Sequence, residues 1–157
     1  MKISKLVKMF KKQKPLVGYT TGVFDLFHIG HLNILKNSKA MCDKLIVGVT
    51  TDELVSYKKK KAFIPHNERM EIIRNLGFVD SVIAQDNIDK FEAWKKLKYD
   101  ILFVADCWYG AESWKEYERK LKEVGVKVVY FPYTKSTSST EIRELIKKIT
   151  DLEHGDS

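Results

Sequence analysis

The chain has 157 residues, close to the roughly 150 of a common single domain, so two full domains are not expected. With 44% hydrophobic and 11% aromatic residues it can bury a core, which excludes disorder as its dominant state. Setting 28 basic against 21 acidic residues leaves a net charge of +7, and that excess points to anionic partners: phosphorylated small molecules, nucleic acid or an acidic membrane surface. Cys42 and Cys107 form no C-x-x-C pair, so neither a disulfide framework nor a four-thiolate zinc site is available, and a reducing, cytoplasmic setting fits. No apolar run approaches the roughly 18 residues of a membrane span, and the lysine-studded segment 1–14 lacks the continuous apolar centre of a signal peptide. Stable membrane insertion is not expected.

In chain order, Ile3, Leu6, Val7 and Phe10 fall on one face of a short basic helix within 1–14. After Pro15, short apolar runs at 16–20, 45–50, 81–84, 101–105 and 127–131 read as five strands. Helical patterns lie between them at 31–40, 67–75, 90–97 and 111–123, and a last one follows Ser138 to about Ile149. This alternation predicts an α/β fold, a Rossmann-like doubly wound parallel five-stranded sheet with helices on both faces. Residues 1–157 are read as one domain: a basic N-terminal helix over 1–14, a core over 15–149 and a tail over 150–157. Ligands of such sheets bind beyond the carboxyl ends of the strands, so the loops there are where chemistry is expected.

The most informative stretch leaves the first strand and enters a helix: Gly18-Tyr19-Thr20-Thr21-Gly22-Val23-Phe24-Asp25-Leu26-Phe27-His28-Ile29-Gly30-His31. Its glycines permit close backbone approach, and the amides of a new helix face an anion. His28 and His31 can both turn a ring nitrogen to one phosphate at that end. A zinc site combining them with Cys42 or Asp106 lacks any further ligand spacing in the chain. Lys58-Lys59-Lys60-Lys61 is a charge run that on its own reads as a solvated loop, followed by Asn67-Glu68-Arg69. Ser138 and Glu141 have capping-box spacing, and a capped helix start is also an anion site. At the end of the fourth strand stand Ala105-Asp106-Cys107-Trp108, where Trp108 is either a ligand-stacking ring or a core aromatic.

The segment Gly22-Val23-Phe24-Asp25-Leu26-Phe27-His28-Ile29-Gly30-His31 resembles the H-x-G-H signature of the nucleotidyltransferase superfamily, and of its cytidylyltransferase branch in particular. From about Val17 to Arg143 the chain is similar to the small bacterial glycerol-3-phosphate cytidylyltransferases. The resemblance implies an enzyme that transfers CMP from CTP to a small phosphorylated alcohol, releasing pyrophosphate and feeding cell-surface or capsular polymer synthesis. It implies Mg²⁺ carried mainly by the triphosphate, with no side-chain metal site, and a homodimer; a nucleic-acid partner is not expected, because no helix-turn-helix, zinc finger or aromatic-rich RNA platform accompanies the basic start and Lys58–Lys61. By the same matching, His28, His31, Lys60 and Arg69 are expected to be catalytic. Thr20, Thr21, Gly22, Val23, Phe24 and Asp25 are expected to line the CTP site with the histidines, and Ser138, Ser139 and Thr140 to hold its outer phosphates. Lys58, Lys60, Asp106 and Trp108 are expected at the acceptor. The chain departs from the family pattern at Cys107, Gly77 and Tyr133, with Arg74 and Lys135 nearby as replacement charges. Other phospho-acceptors (phosphocholine, phosphoethanolamine, other polyol phosphates), ATP in place of CTP, and a non-catalytic nucleotide-binding module are the alternatives.

Overall fold

The computed structural model describes residues 14–57, 61–105, 109–132, 134 and 138–154. The basic helix expected over 1–14 lies outside them except for Lys14. Five parallel strands form one sheet: β1 (Val17–Gly22), β2 (Lys44–Thr50), β3 (Ser81–Gln85), β4 (Ile101–Ala105) and β5 (Lys127–Phe131). Their spatial order is β3-β2-β1-β4-β5, so the chain winds outward in one direction from β1, returns to the centre and winds outward in the other. Among the described residues, six helices connect and follow them: α1 (Ile29–Ala40), α2 (Asp52–Tyr57), α3 (His66–Arg74), α4 (Lys90–Leu97), α5 (Glu112–Glu123) and α6 (Ser139–His154).

The period-two side-chain alternation of the strands divides the core into two layers. Leu45, Val47, Val49, Ile101 and Phe103 face one side of the sheet, where Leu35 of α1 and Ile73 of α3 cover them. Tyr19, Leu102 and Val104 face the other, under Trp114 and Leu121 of α5 and the apolar face of α4. Carboxylates satisfy the backbone where strands begin: Asp100 accepts from the Val17 N–H at 2.9 Å, and Asp80 accepts from the Leu45 N–H at 2.7 Å.

All five strands and the doubly wound arrangement agree with the sequence reading. Helix α2 was not expected; at six residues it is too short to give a period. Helix α6 continues to His154, so much of the expected tail is helical.

Candidate active site

The strand order reverses between β1 and β4, and a crevice opens at their carboxyl ends. A cleft of about 590 Å³ lies there, walled by the end of β1, the start of α1 and the start of α6. Among the residues expected at the nucleotide, Thr20, Thr21, Gly22, Phe24, His28, His31, Ser139 and Thr140 line it.

His28 is the N-cap of α1, and its Nδ1 accepts the Gly30 N–H at 3.0 Å. A nitrogen that accepts cannot carry the proton, so the neutral ring holds its hydrogen on Nε2 and can donate it. The ring folds back so closely over Gly30 that a Cβ there would lie 2.8 Å from His28 Cε1. Glycine between the histidines is thus a requirement of the cap. His31, one turn on, stacks on His28 with ring centroids 3.9 Å apart. Its Nδ1 is buried with no hydrogen-bond partner among the described residues. Burial first, and the neighbouring His28 second, push His31 down from 6.5 to about 4 against the opposing field of Asp25; burial also lowers His28. Both rings are therefore neutral donors at neutral pH before any anion enters.

The turn that delivers these rings is contorted. Phe24 and Leu26 have φ of 54° and 51°, left-handed values that ordinary side chains resist at about 1–2 kcal/mol each. Asp25 between them is 2% exposed. Its carboxylate accepts the Phe63 and Ile64 N–H groups, each at 2.9 Å, and pairs with the guanidinium of Arg143. Arg143 also donates to the Lys61 carbonyl at 2.7 Å, and Ser139 Oγ donates to the Asp25 carbonyl at 2.7 Å. One turn is thereby knotted to the segment after the lysine run and to α6. Ser138 and Glu141 form the expected capping box: Ser138 Oγ accepts the Glu141 N–H at 3.2 Å, and Glu141 accepts the Ser138 N–H at 3.0 Å.

Four expected site residues take other places. Arg69 is fully buried, donating to the carbonyls of Ile64 (2.8 Å), Val23 (2.6 Å) and Thr50 (2.8 Å) and to Asp52 (2.5 Å). Its fork is spent on clamping the ends of β1 and β2, so it is a positioning residue and not a phosphate contact. Asp25 is likewise structural, its oxygens committed to amides and Arg143. Val23 lines a different cavity from this cleft, and Ser138 stays in the cap behind it. Lys58, Lys60, Asp106 and Trp108 lie outside the described residues, as do Cys107, Tyr133 and Lys135.

A second cavity of about 430 Å³ opens on the other side of the β1 end. Thr21, Gly22 and Ala105 border both spaces, and the second is walled by Leu102, Val104, Trp114 and Tyr117 with Lys90 at its edge. The sequence reading took Lys90 only as the first residue of a helix.

The cytidylyltransferase-like family model matches residues 19–145, a span that contains both histidines, the knot and the capped start of α6. The chain belongs to the cytidylyltransferase-like family. It is thereby a member of the nucleotidyltransferase enzymes, in agreement with the family resemblance read from the sequence. It is 35% identical over 128 residues to the glycerol-3-phosphate cytidylyltransferase of Bacillus subtilis (strain 168), covering 81% of this chain and 94% of that protein. It is also 35% identical over 136 residues to the FAD synthase of Pyrococcus abyssi (strain GE5 / Orsay), covering 83% of this chain and 90% of that one. Among solved structures, a lipopolysaccharide core biosynthesis protein from Thermoplasma volcanium GSS1 superposes with a TM-score of 0.65 at 27% identity, covering 79% of this chain and all of the other. This family member thus has relatives named for two different activities. Among the described residues, no helix is long and apolar enough to cross a membrane.

Proposed function

We propose that the chain transfers a cytidylyl group from CTP to a small phosphorylated alcohol, with glycerol-3-phosphate the leading acceptor, giving CDP-glycerol and pyrophosphate. The observation that carries this reading is the stacked pair His28 and His31 at the start of α1, facing the cleft at the strand-order reversal. A phosphate oxygen of the acceptor attacks the α-phosphorus in line; the bond to the bridging oxygen breaks, and pyrophosphate leaves with that electron pair. No protein nucleophile is needed, because both reactants are phosphates and the difficulty is their mutual repulsion. The Nε2–H of His28 and the ring of His31 stabilise charge growing at the α-phosphate, and the hydroxyl of Thr140 with the first amides of α6 takes the outer phosphates, the Ser139 hydroxyl being engaged by the Asp25 carbonyl. Lys58 and Lys60 are assigned to the phosphates of acceptor and nucleotide. Mg²⁺ would be carried by the triphosphate and would offset its charge, since the oxygens of Asp25, the carboxylate of the β1–α1 turn, are already engaged.

A second reading, adenylyl transfer from ATP to flavin mononucleotide, is favoured by the volume and apolar wall of the second cavity and by similarity to FAD synthases. The test is pyrophosphate release with Mg²⁺, using CTP or ATP against glycerol-3-phosphate, phosphocholine, phosphoethanolamine, longer polyol phosphates and flavin mononucleotide. Release with CTP and a phospho-alcohol supports the first reading, and release with ATP and the flavin replaces it. Absence of nucleotide binding in the His28 cleft overturns both.

A further inference from the structure

The nucleotide cleft does not stop at the histidines. Gly30, Asn33, Ile34 and Asn37 fall at i, i+3, i+4 and i+7 of α1, so they share one face of it, and all four line the cleft. At 1.5 Å of rise per residue, Asn37 lies about 10 Å along the helix axis from Gly30. Phe131 and Pro132, at the end of β5, line the same space. Asn33 Nδ2 donates to Thr134 Oγ1 at 3.4 Å. Thr134 itself packs over the first turn of α1, where a Cβ on Gly30 would lie 3.6 Å from Thr134 Cβ. A carboxamide has a donor end and an acceptor end. With the donor end on Thr134, Oδ1 is the end left for whatever fills the cleft, and among the described residues it accepts from no group.

Resting on the nucleotidyl-transfer reading, we propose that Asn33 selects the nucleobase: its Oδ1 accepts a hydrogen bond from an exocyclic amino group, and Thr134 holds the carboxamide in that sense. With the triphosphate at the His28 end, the sugar and base fall to the Asn33 end, where Ile34, Phe131 and Pro132 offer apolar surface to a flat ring. Cytosine N4 and adenine N6 are donors; uracil O4 and guanine O6, in the corresponding places, are acceptors. A keto oxygen brought against Oδ1 sets two acceptors face to face with water excluded, and leaving such groups unpaired is what a site of this kind penalises. An unrestrained asparagine escapes the penalty by turning its amide over and donating from Nδ2. The Thr134 hydroxyl opposes that turn. The ligand class is therefore a nucleoside triphosphate whose base carries an amino group, as CTP and ATP do and UTP and GTP do not at that position.

The test is calorimetric titration of the full chain, with Mg²⁺, by CTP, UTP, ATP, GTP and inorganic triphosphate. The tightest-binding nucleotide should be CTP or ATP, and it should exceed its keto counterpart, UTP or GTP, by about tenfold or more, the scale of an unpaired buried acceptor. CTP as the tightest supports cytidylyl transfer and ATP the flavin reading; Asn33 acts alike in both. Asn33→Leu should collapse the amino-to-keto ratio and leave the affinity for inorganic triphosphate unchanged. Asn33→Asp, whose oxygens only accept, should keep the ratio. Thr134→Val, which lets the amide turn over, should lower the ratio by admitting the keto nucleotide while the amino nucleotide binds as before. A ratio that survives in Asn33→Leu overturns the proposal, as does a wild type that binds amino and keto nucleotides equally, an observation that needs no variant to fold. A wild type that binds no nucleoside triphosphate overturns the nucleotidyl-transfer reading instead.

Discussion

Arg143 on α6 pairs with the buried carboxylate of Asp25, 118 positions away in sequence. The pair closes the turn after β1 against the last helix, so the loop carrying the histidines cannot move independently of α6. Arg143→Met should lower unfolding free energy by about 1.5–3 kcal/mol, the range for a hydrogen bond to a charged group. The lower part of that range is expected because 32% of the Arg143 side chain meets solvent. Urea denaturation with an unchanged midpoint would show the pair to be idle.

Gly30→Ala should leave the sheet intact and displace the His28 ring, since the added methyl would stand 2.8 Å from Cε1. Misplacing a positioned group by about 1 Å costs up to about 10²-fold in turnover. The expectation is a fall in kcat of at least roughly tenfold with little change in melting temperature. A variant that keeps full turnover would mean that the His28 cap does not set the geometry.

Removing the second ring tests the chemistry more directly. His31→Ala should reduce turnover by about 10²-fold or more, as for loss of one transition-state donor. Circular dichroism should match that of the wild type. Near-normal pyrophosphate release would release His31 from any role at the phosphates.

The depressed titration of His31 makes stability depend on pH. In the folded chain the group titrates near 4, against 6.5 when unfolded. Between these values the unfolded state binds more protons, so the stability contribution is complete above the unfolded value and is lost as pH falls through this window. The loss is at most about 3 kcal/mol. Denaturation midpoints of wild type and His31→Gln should converge as pH drops from about 7 to about 5; a gap that stays constant would contradict neutral burial. An incoming phosphate supplies the missing counter-charge, so CTP should bind with proton uptake, visible by calorimetry in two buffers of different ionisation enthalpy.

Arg69→Lys keeps the charge yet removes the fork that holds three carbonyls and Asp52 together. A loss of about 3 kcal/mol or more in unfolding free energy is expected. Stability within error of the wild type would return Arg69 to the nucleotide.

Much of the architecture was legible because it rests on short-range pattern. The period-two runs located all five strands, and Ser138 and Glu141 announced a helix start through their spacing alone. His28, Gly30 and His31 were legible for the same reason, being neighbours on one helix turn. What escaped was decided by distant partners. Nothing local distinguishes an arginine aimed at a phosphate from Arg69, whose acceptors lie 5, 17, 19 and 46 positions away. Asp25 read as a ligand because the amides of Phe63 and Ile64 that occupy it are nearly 40 positions away. Lys90 read as an ordinary first residue of a helix, and only the pairing of sheet and loop puts its ammonium against Thr21.

The left-handed residues Phe24 and Leu26 bear on how this protein can be engineered. Glycine at Leu26 would relieve the unfavourable dihedral and also give the turn other conformations to visit. The chain would gain on one count and lose on the other in stability, while the histidines lost their fixed bearing. Thermostabilisation is therefore better sought at α5 or the outer strands, far from this kink. A screen selecting on melting temperature alone would be drawn toward loosening the one segment whose awkward shape holds two imidazoles in line.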